Sequence, residues 1–209
     1  MTHTLHRRGS TESLSKDIVF LSIPSKGINS DGSAPKLAEF MKIALQNGCI
    51  KIGDASSGNE YTQGSVEKVL DNVKDMDTVH AVFDDKQKAI DMLRALKNAN
   101  LGMSVVVSGL LDQVDECCKS AGFQRHTVEH SLGIWGNTDR LPDEHVLELN
   151  TMCGHGMVTV GLINQVIDQI IEGRITVKQG AEELFKPCTC GIFNPKRAAE
   201  LLRDIAAKK

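Results

Sequence analysis

The chain of 209 residues carries six cysteines: Cys49, Cys117, Cys118, Cys153, Cys188 and Cys190. Three of them sit where a thiol can do chemistry. Cys153 lies in Thr151-Met152-Cys153-Gly154-His155-Gly156, directly before a long apolar stretch. Cys188 and Cys190 lie in Lys186-Pro187-Cys188-Thr189-Cys190-Gly191, shortly before Asn194-Pro195. Asn as a cap and Pro at the first helical position suit a helix start. A thiol just before a helix meets unpaired N–H groups and the positive end of the dipole, and both favour thiolate. The glycines let the backbone approach a bound group closely. His155 can orient a ligand, shuttle a proton or bind metal.

The two motifs are separated by what reads as one helical hairpin. A helix over 156–172 runs about 25 Å away at 1.5 Å per residue, and a shorter one over 177–185 brings the chain back. Cys153, Cys188 and Cys190 are therefore expected to converge on one metal centre. Three thiolates fit an iron–sulfur cluster with one iron open to substrate. They also fit a Cys3His zinc site that uses His155. The spacing matches neither a ferredoxin run nor a doubled C-x(2–4)-C zinc pattern, and iron–sulfur is the leading expectation. The protein then reads as an enzyme on a small molecule, with lyase, sulfur-transfer or redox chemistry and His155 as the acid/base group. A zinc-stabilised binding or assembly module without catalysis is a further reading of the same residues.

Met152-Cys153-Gly154-His155-Gly156 also resembles the first catalytic motif of the proline racemase and hydroxyproline epimerase family. That resemblance implies metal-free acid/base chemistry on a small carboxylate, with no cofactor. Cys153 would be one thiol and Cys188 or Cys190 the other. It covers five residues. The family's second motif, Pro-Cys-Gly-Thr-Gly, is not met, because Thr189-Cys190-Gly191 follows Pro187-Cys188.

Other residues carry weaker signals. Ser25, Lys26 and Gly27 follow a strand and precede a helix, a place where α/β sheets bind ligands. They are candidate substrate-binding residues. His126 and His130 share a strand face but lie about 13 Å apart at 3.3 Å per residue, too far for one ion. Cys117, Cys118 and Cys49 read as core. Asp84-Asp85 reads as a helix cap.

Composition bounds the function class. Net charge is −3, which argues against a general binder of nucleic acid or anionic membranes. Aromatic residues make up only 4% of the chain, so a stacking platform for single strands is not expected. No apolar run is long enough to span a bilayer, and the polar start has no signal-peptide core. Clustered thiols without such a signal point to a reducing cytoplasm.

The elements that must position these residues follow from hydrophobic period. Strands are expected at 18–23, 49–52, 78–83, 102–107 and 123–134. Helices are expected at about 35–47, 63–74, 85–98 and 110–121, then at 142–149, 156–172, 177–185 and after Asn194. This alternation predicts an α/β portion over 17–135, three-layer or ferredoxin-like, packed against a helical portion over 136–209. Residues 1–16 lack a period and read as a mobile arm, or as a segment that folds His6, Arg7 and Arg8 back over an anionic site.

Overall fold

The computed structural model describes residues 4–208. Helix α1 spans Thr11–Leu14 and strand β1 Ile18–Ile23. Then come α2 (Ala34–Gln46), β2 (Lys51–Asp54), β3 (Gly58–Asn59), α3 (Glu60–Gln63) and α4 (Val66–Asp71). Next are β4 (Val79–Phe83), α5 (Lys86–Ala99), β5 (Ser104–Ser108) and α6 (Leu111–Ser120). The helical portion holds α7 (Glu144–Asn150), α8 (Val160–Ile171), α9 (Val177–Phe185) and α10 (Pro195–Ala206).

The sheet order is β3-β2-β4-β1-β5, and every neighbouring pair is antiparallel. β1 and β2 flank β4, while β4 and β5 flank β1. Two β-α-β units are thus interleaved, which is the ferredoxin-like arrangement. One sheet face is covered by α2, α5 and α6 through Phe20, Phe40, Ala81, Phe83 and Leu93. The other is covered by the helical portion through Val19, Leu21, Val82, Phe185 and Phe193. β1 reads as a nearly continuous apolar run, interrupted by the buried Ser22, because both its faces are buried. The fold is α/β, with the sheet between two helical layers.

Several expectations are corrected. Residues 123–134 form no strand. Gly133 takes φ of +97°, which an extended strand does not use, and Phe123, Val128, Leu132 and Ile134 are all exposed, so no face is buried to hold a strand. The helix expected from 156 begins at Val160, because Gly156 sits at φ +72° and Thr159 is the cap, accepting from the Leu162 N–H. The helix expected at 63–74 is split into α3 and α4 at Gly64, φ +93°.

The expected mobile arm is a docked strap over residues 4–16, while residues 1–3 lie outside the described residues. Arg7 and Arg197 both pair with the buried Asp17. Arg197 also donates to the Arg8 carbonyl and to Ser13. Arg8 pairs with Glu144. The second reading of this segment, in which Arg7 and Arg8 fold back onto acidic groups, is the one the strap matches, while its partners Asp17, Glu144 and Arg197 carry no hydrophobic period that could have named them.

Candidate thiol centre

Cys153 follows α7 in a tightly wound loop. The His155 N–H donates to the Cys153 carbonyl at 2.7 Å, with Gly154 at φ +63° making the turn. The Asn150 amide reaches across to the Val158 carbonyl at 2.7 Å and closes the loop. The imidazole is thereby carried to the other motif: His155 Nδ1 lies 3.5 Å from Cys190 Sγ.

Cys188 and Cys190 lie in the turn between α9 and α10. The Gly191 N–H donates to the Cys188 carbonyl at 2.9 Å. Buried Asn59 donates to the Cys188 carbonyl at 2.9 Å while its own oxygen accepts from Tyr61 and Thr62. The turn lies directly on the sheet. A Cβ on Gly53 would fall 2.5 Å from the Cys190 carbonyl oxygen, and one on Gly191 would fall 2.5 Å from the Ile52 carbonyl oxygen. Arg7 joins both loops, donating to the carbonyls of Met152 at 3.0 Å and Ile192 at 2.6 Å.

These supports bring all three sulfurs together. Cys153, Cys188 and Cys190 are near enough for their thiols to shift one another's pKa values. All three side chains are buried within the core between sheet and helices, and His155 is exposed. The string is polarised. Its hydrogen bond to Cys188, together with burial, pushes the Cys153 thiol far up. Cys188 is pulled down by Cys153 but pushed up more by Cys190 and burial, to about 12. Cys190 is lowered by its hydrogen bond with Cys188, against burial and with help from the Arg7 charge. Cys190 is thus the most acidic thiol, beside the one solvent-facing member of the string. Among the described residues, no group of three or more His, Cys, Asp or Glu side chains stands in a metal-holding arrangement. Of the four donors, His155 and Cys190 are in side-chain contact.

The other sequence candidates do not join this centre. Ser25, Lys26 and Gly27 form an exposed turn that closes on itself, Ser25 N–H on Asn29 and Gly27 N–H on Ser30. Cys117 and Cys118 are buried on α6 in the opposite core. Cys49 is pushed up to about 12 by burial. Asp85 caps α5 through the Lys88 N–H. His126 and His130 are exposed.

Sequence reasoning passed over Asn59, Gly53 and His80. Buried His80 alternates with Val82 on β4, so it faces the thiol side, in register with Leu21 and Gly53. A histidine inside Val79-His80-Ala81-Val82-Phe83 was the available signal.

Compared with protein-family models, curated proteins and solved structures, the chain matches none. No helix among the described residues is long and apolar enough to cross a membrane.

Proposed function

We propose that Cys153, Cys188 and Cys190 bind a thiolate-seeking metal ion, with His155 as the exposed and exchangeable fourth donor, and that this centre acts on a small molecule. The observation that carries the reading is the run of three buried sulfurs ending at solvent-facing His155, 3.5 Å from Cys190. In a tetrahedral site with metal–sulfur bonds near 2.3 Å and metal–nitrogen bonds near 2.05 Å, sulfurs sit about 3.8 Å apart and nitrogen about 3.6 Å from sulfur. Thiols that share one buried pocket and shift one another's pKa values would reach those edges by side-chain rotation. Metal binding displaces their protons and closes the shell.

The closeness of the thiols, strong enough to move one another's pKa values, favours one ion over the iron–sulfur cluster expected from the sequence, in which each thiolate stands on its own iron. It also speaks against the two-thiol epimerase reading. That chemistry needs a substrate carbon between the thiols, each at about 3 Å hydrogen-bond reach of the transferred proton. Three fixed thiolates and one replaceable ligand suit Lewis-acid chemistry of the lyase kind, since catalytic sites keep one position open to substrate.

The test is metal analysis and an absorption spectrum on protein prepared without oxygen. One ion per chain with no visible iron chromophore is the expected result. A brown chromophore with several irons per chain would put the cluster in its place. Metal-free protein that refuses zinc and iron at neutral pH would end the proposal.

A further inference from the structure

The stretch after α6 holds apolar side chains that the fold of one chain does not use. Val128, Leu132, Ile134 and Trp135 are exposed, Leu132 by 77% and Trp135 by 83%. Trp135 is the chain's single tryptophan. Beside this stretch lies β5, for Glu129, His130 and Ser131 share a cavity wall with Ser108 and Gly109 at the strand's end. β5 closes the sheet on that side, with β1 as its neighbour. Among the described residues no strand pairs with its outer edge, which presents a row of backbone N–H and C=O groups. Val106, paired with Leu21 on β1, is left 41% exposed. Edge strands are ordinarily blunted by Lys, Pro, a charge or a bulge. Here residues 101–110 contain neither a charge nor a proline, and the register with β1 runs unbroken from Ser108 to Ser104.

We infer that this face meets the same face of a second copy of the chain, with β5 pairing antiparallel to its counterpart about a two-fold axis at Val106. Ser104-Val105-Val106-Val107-Ser108 reads the same in both directions. The axis therefore sets Val106 against Val106, Val105 against Val107 and Ser104 against Ser108, each pair alike in size and polarity. An isologous contact demands this self-complementarity, and it closes at two copies. Charge permits it. Across 126–138 Glu129 is the only acidic or basic side chain besides two histidines, so little like charge is brought together. Area calls for it. Val106, Val128, Leu132, Ile134 and Trp135 offer on the order of 500 Å² per copy, against roughly 300–600 Å² for the largest apolar patch of a typical monomer. The strand edge and the polar groups around it supply the rest of the roughly 800 Å² that each partner of a standard interface buries. An exposed tryptophan is the side chain best suited to anchor such a contact. This face does not depend on the metal proposal and stands whatever the thiols bind.

The test is sedimentation equilibrium of the full-length chain in reducing buffer, with Trp135 fluorescence read over the same concentrations. The expected result is a reversible equilibrium between 22.8 kDa and twice that mass. Trp135 emission should shift to the blue in step with the dimer fraction. Val106→Lys sets two like charges side by side across the axis, and Leu132→Asp puts a charge in the apolar part. Each should weaken dimerisation by about tenfold or more and leave the circular dichroism spectrum unchanged. Should Val106→Lys fail to fold, Leu132→Asp, at a position 77% exposed, decides the matter. Open-ended larger species, or a dimer that keeps its strength in either folded variant, would overturn the inference. So would a monomer at every concentration. Phosphatidylcholine vesicles added to that monomer would then tell a lipid-covered face, which shifts Trp135 emission, from one that takes a different protein, which does not.

Discussion

Cys190 Sγ and His155 Nδ1 stand 3.5 Å apart, although 35 positions separate them in the chain. The contact joins a buried string of thiols to the solvent at one point. Thiolate is the reactive form of cysteine, and Cys190 is the thiol whose pKa is lowered. Limited alkylation of metal-free protein should therefore modify Cys190 before Cys153 or Cys188. His155→Ala should speed that modification by uncovering the sulfur. Peptide mapping by mass spectrometry reads the order, and modification of Cys153 first would contradict it.

The raised thiols set a pH dependence of stability. Cys49 and Cys188 are each held near 12 in the fold and Cys153 is raised as well, against about 8.5 in an unfolded chain. An acid whose folded pKa is raised favours its neutral form in the fold. Its contribution is complete below the unfolded value and is lost as pH climbs toward the folded one. The lowered Cys190 works in the opposite sense and offsets part of this. The melting temperature of metal-free protein should be level from about pH 6 to 8 and fall above about pH 8.5. Cys49→Val should soften the fall. A melting temperature that rises through that window would count against the buried-thiol description.

Gly53→Ala tests how the Cys190 loop is seated. The added carbon would meet the Cys190 carbonyl oxygen at 2.5 Å, where the neighbour is backbone rather than a flexible side chain. Forced overpacking of this kind costs about 1–3 kcal/mol. Urea denaturation should show that loss, and metal affinity should fall with it as Cys190 is pushed off the sheet. A variant as stable as the parent would show that the loop is not pressed on β2.

The Asp17 cluster and the Arg8–Glu144 pair should differ sharply in weight. Asp17→Asn leaves two buried guanidiniums without their shared carboxylate, and removing one partner of a buried pair costs about 3–5 kcal/mol. Glu144→Gln breaks a largely exposed pair worth about 0–1 kcal/mol. Chemical denaturation of the two variants should keep this order at any salt concentration. Near-equal losses would mean that the strap is not anchored at Asp17.

Loss of the Thr176 cap should leave the thiols alone. Thr176 and Gln179 form a capping box at the start of α9, with the Gln179 N–H on the Thr176 hydroxyl and the Thr176 N–H on the Gln179 side chain. Thr176→Ala should cost about 1 kcal/mol in urea denaturation. Alkylation order at the cysteines should stay as in the parent. A changed order would mean that α9 sets the thiol geometry beyond carrying the chain back.

Much of the fold was legible because burial imposes period. The apolar run of β1, the three-residue steps of α5 and the Asn194-Pro195 start of α10 each follow from one local rule, and each stands where the pattern put it. The convergence of the thiols was legible as well, since a helical hairpin between two cysteine loops returns the chain to its origin. The supports were not. Asn59, Gly53 and Arg7 reach the cysteine loops from positions 127 or more residues away, by a pair of hydrogen bonds each for Asn59 and Arg7 and by the absence of a side chain for Gly53. Such contacts leave no local period. Residues 123–134 misled for the opposite reason: they carry Phe123, Val128, Leu132 and Ile134, but all four stay exposed and no strand of the sheet pairs with them.

The central claim is that three sulfurs and one imidazole form a single metal site. Cobalt(II) titration of the reduced, metal-free protein tests it most directly, because thiolate-to-cobalt absorption grows with the number of bound sulfurs. The expected result is saturation at one cobalt per chain, with a tetrahedral spectrum, and a stepwise loss of thiolate absorption in Cys153→Ser, Cys188→Ser and Cys190→Ser. A wild-type spectrum no different from cobalt in buffer, or one unaltered by all three substitutions, would contradict it.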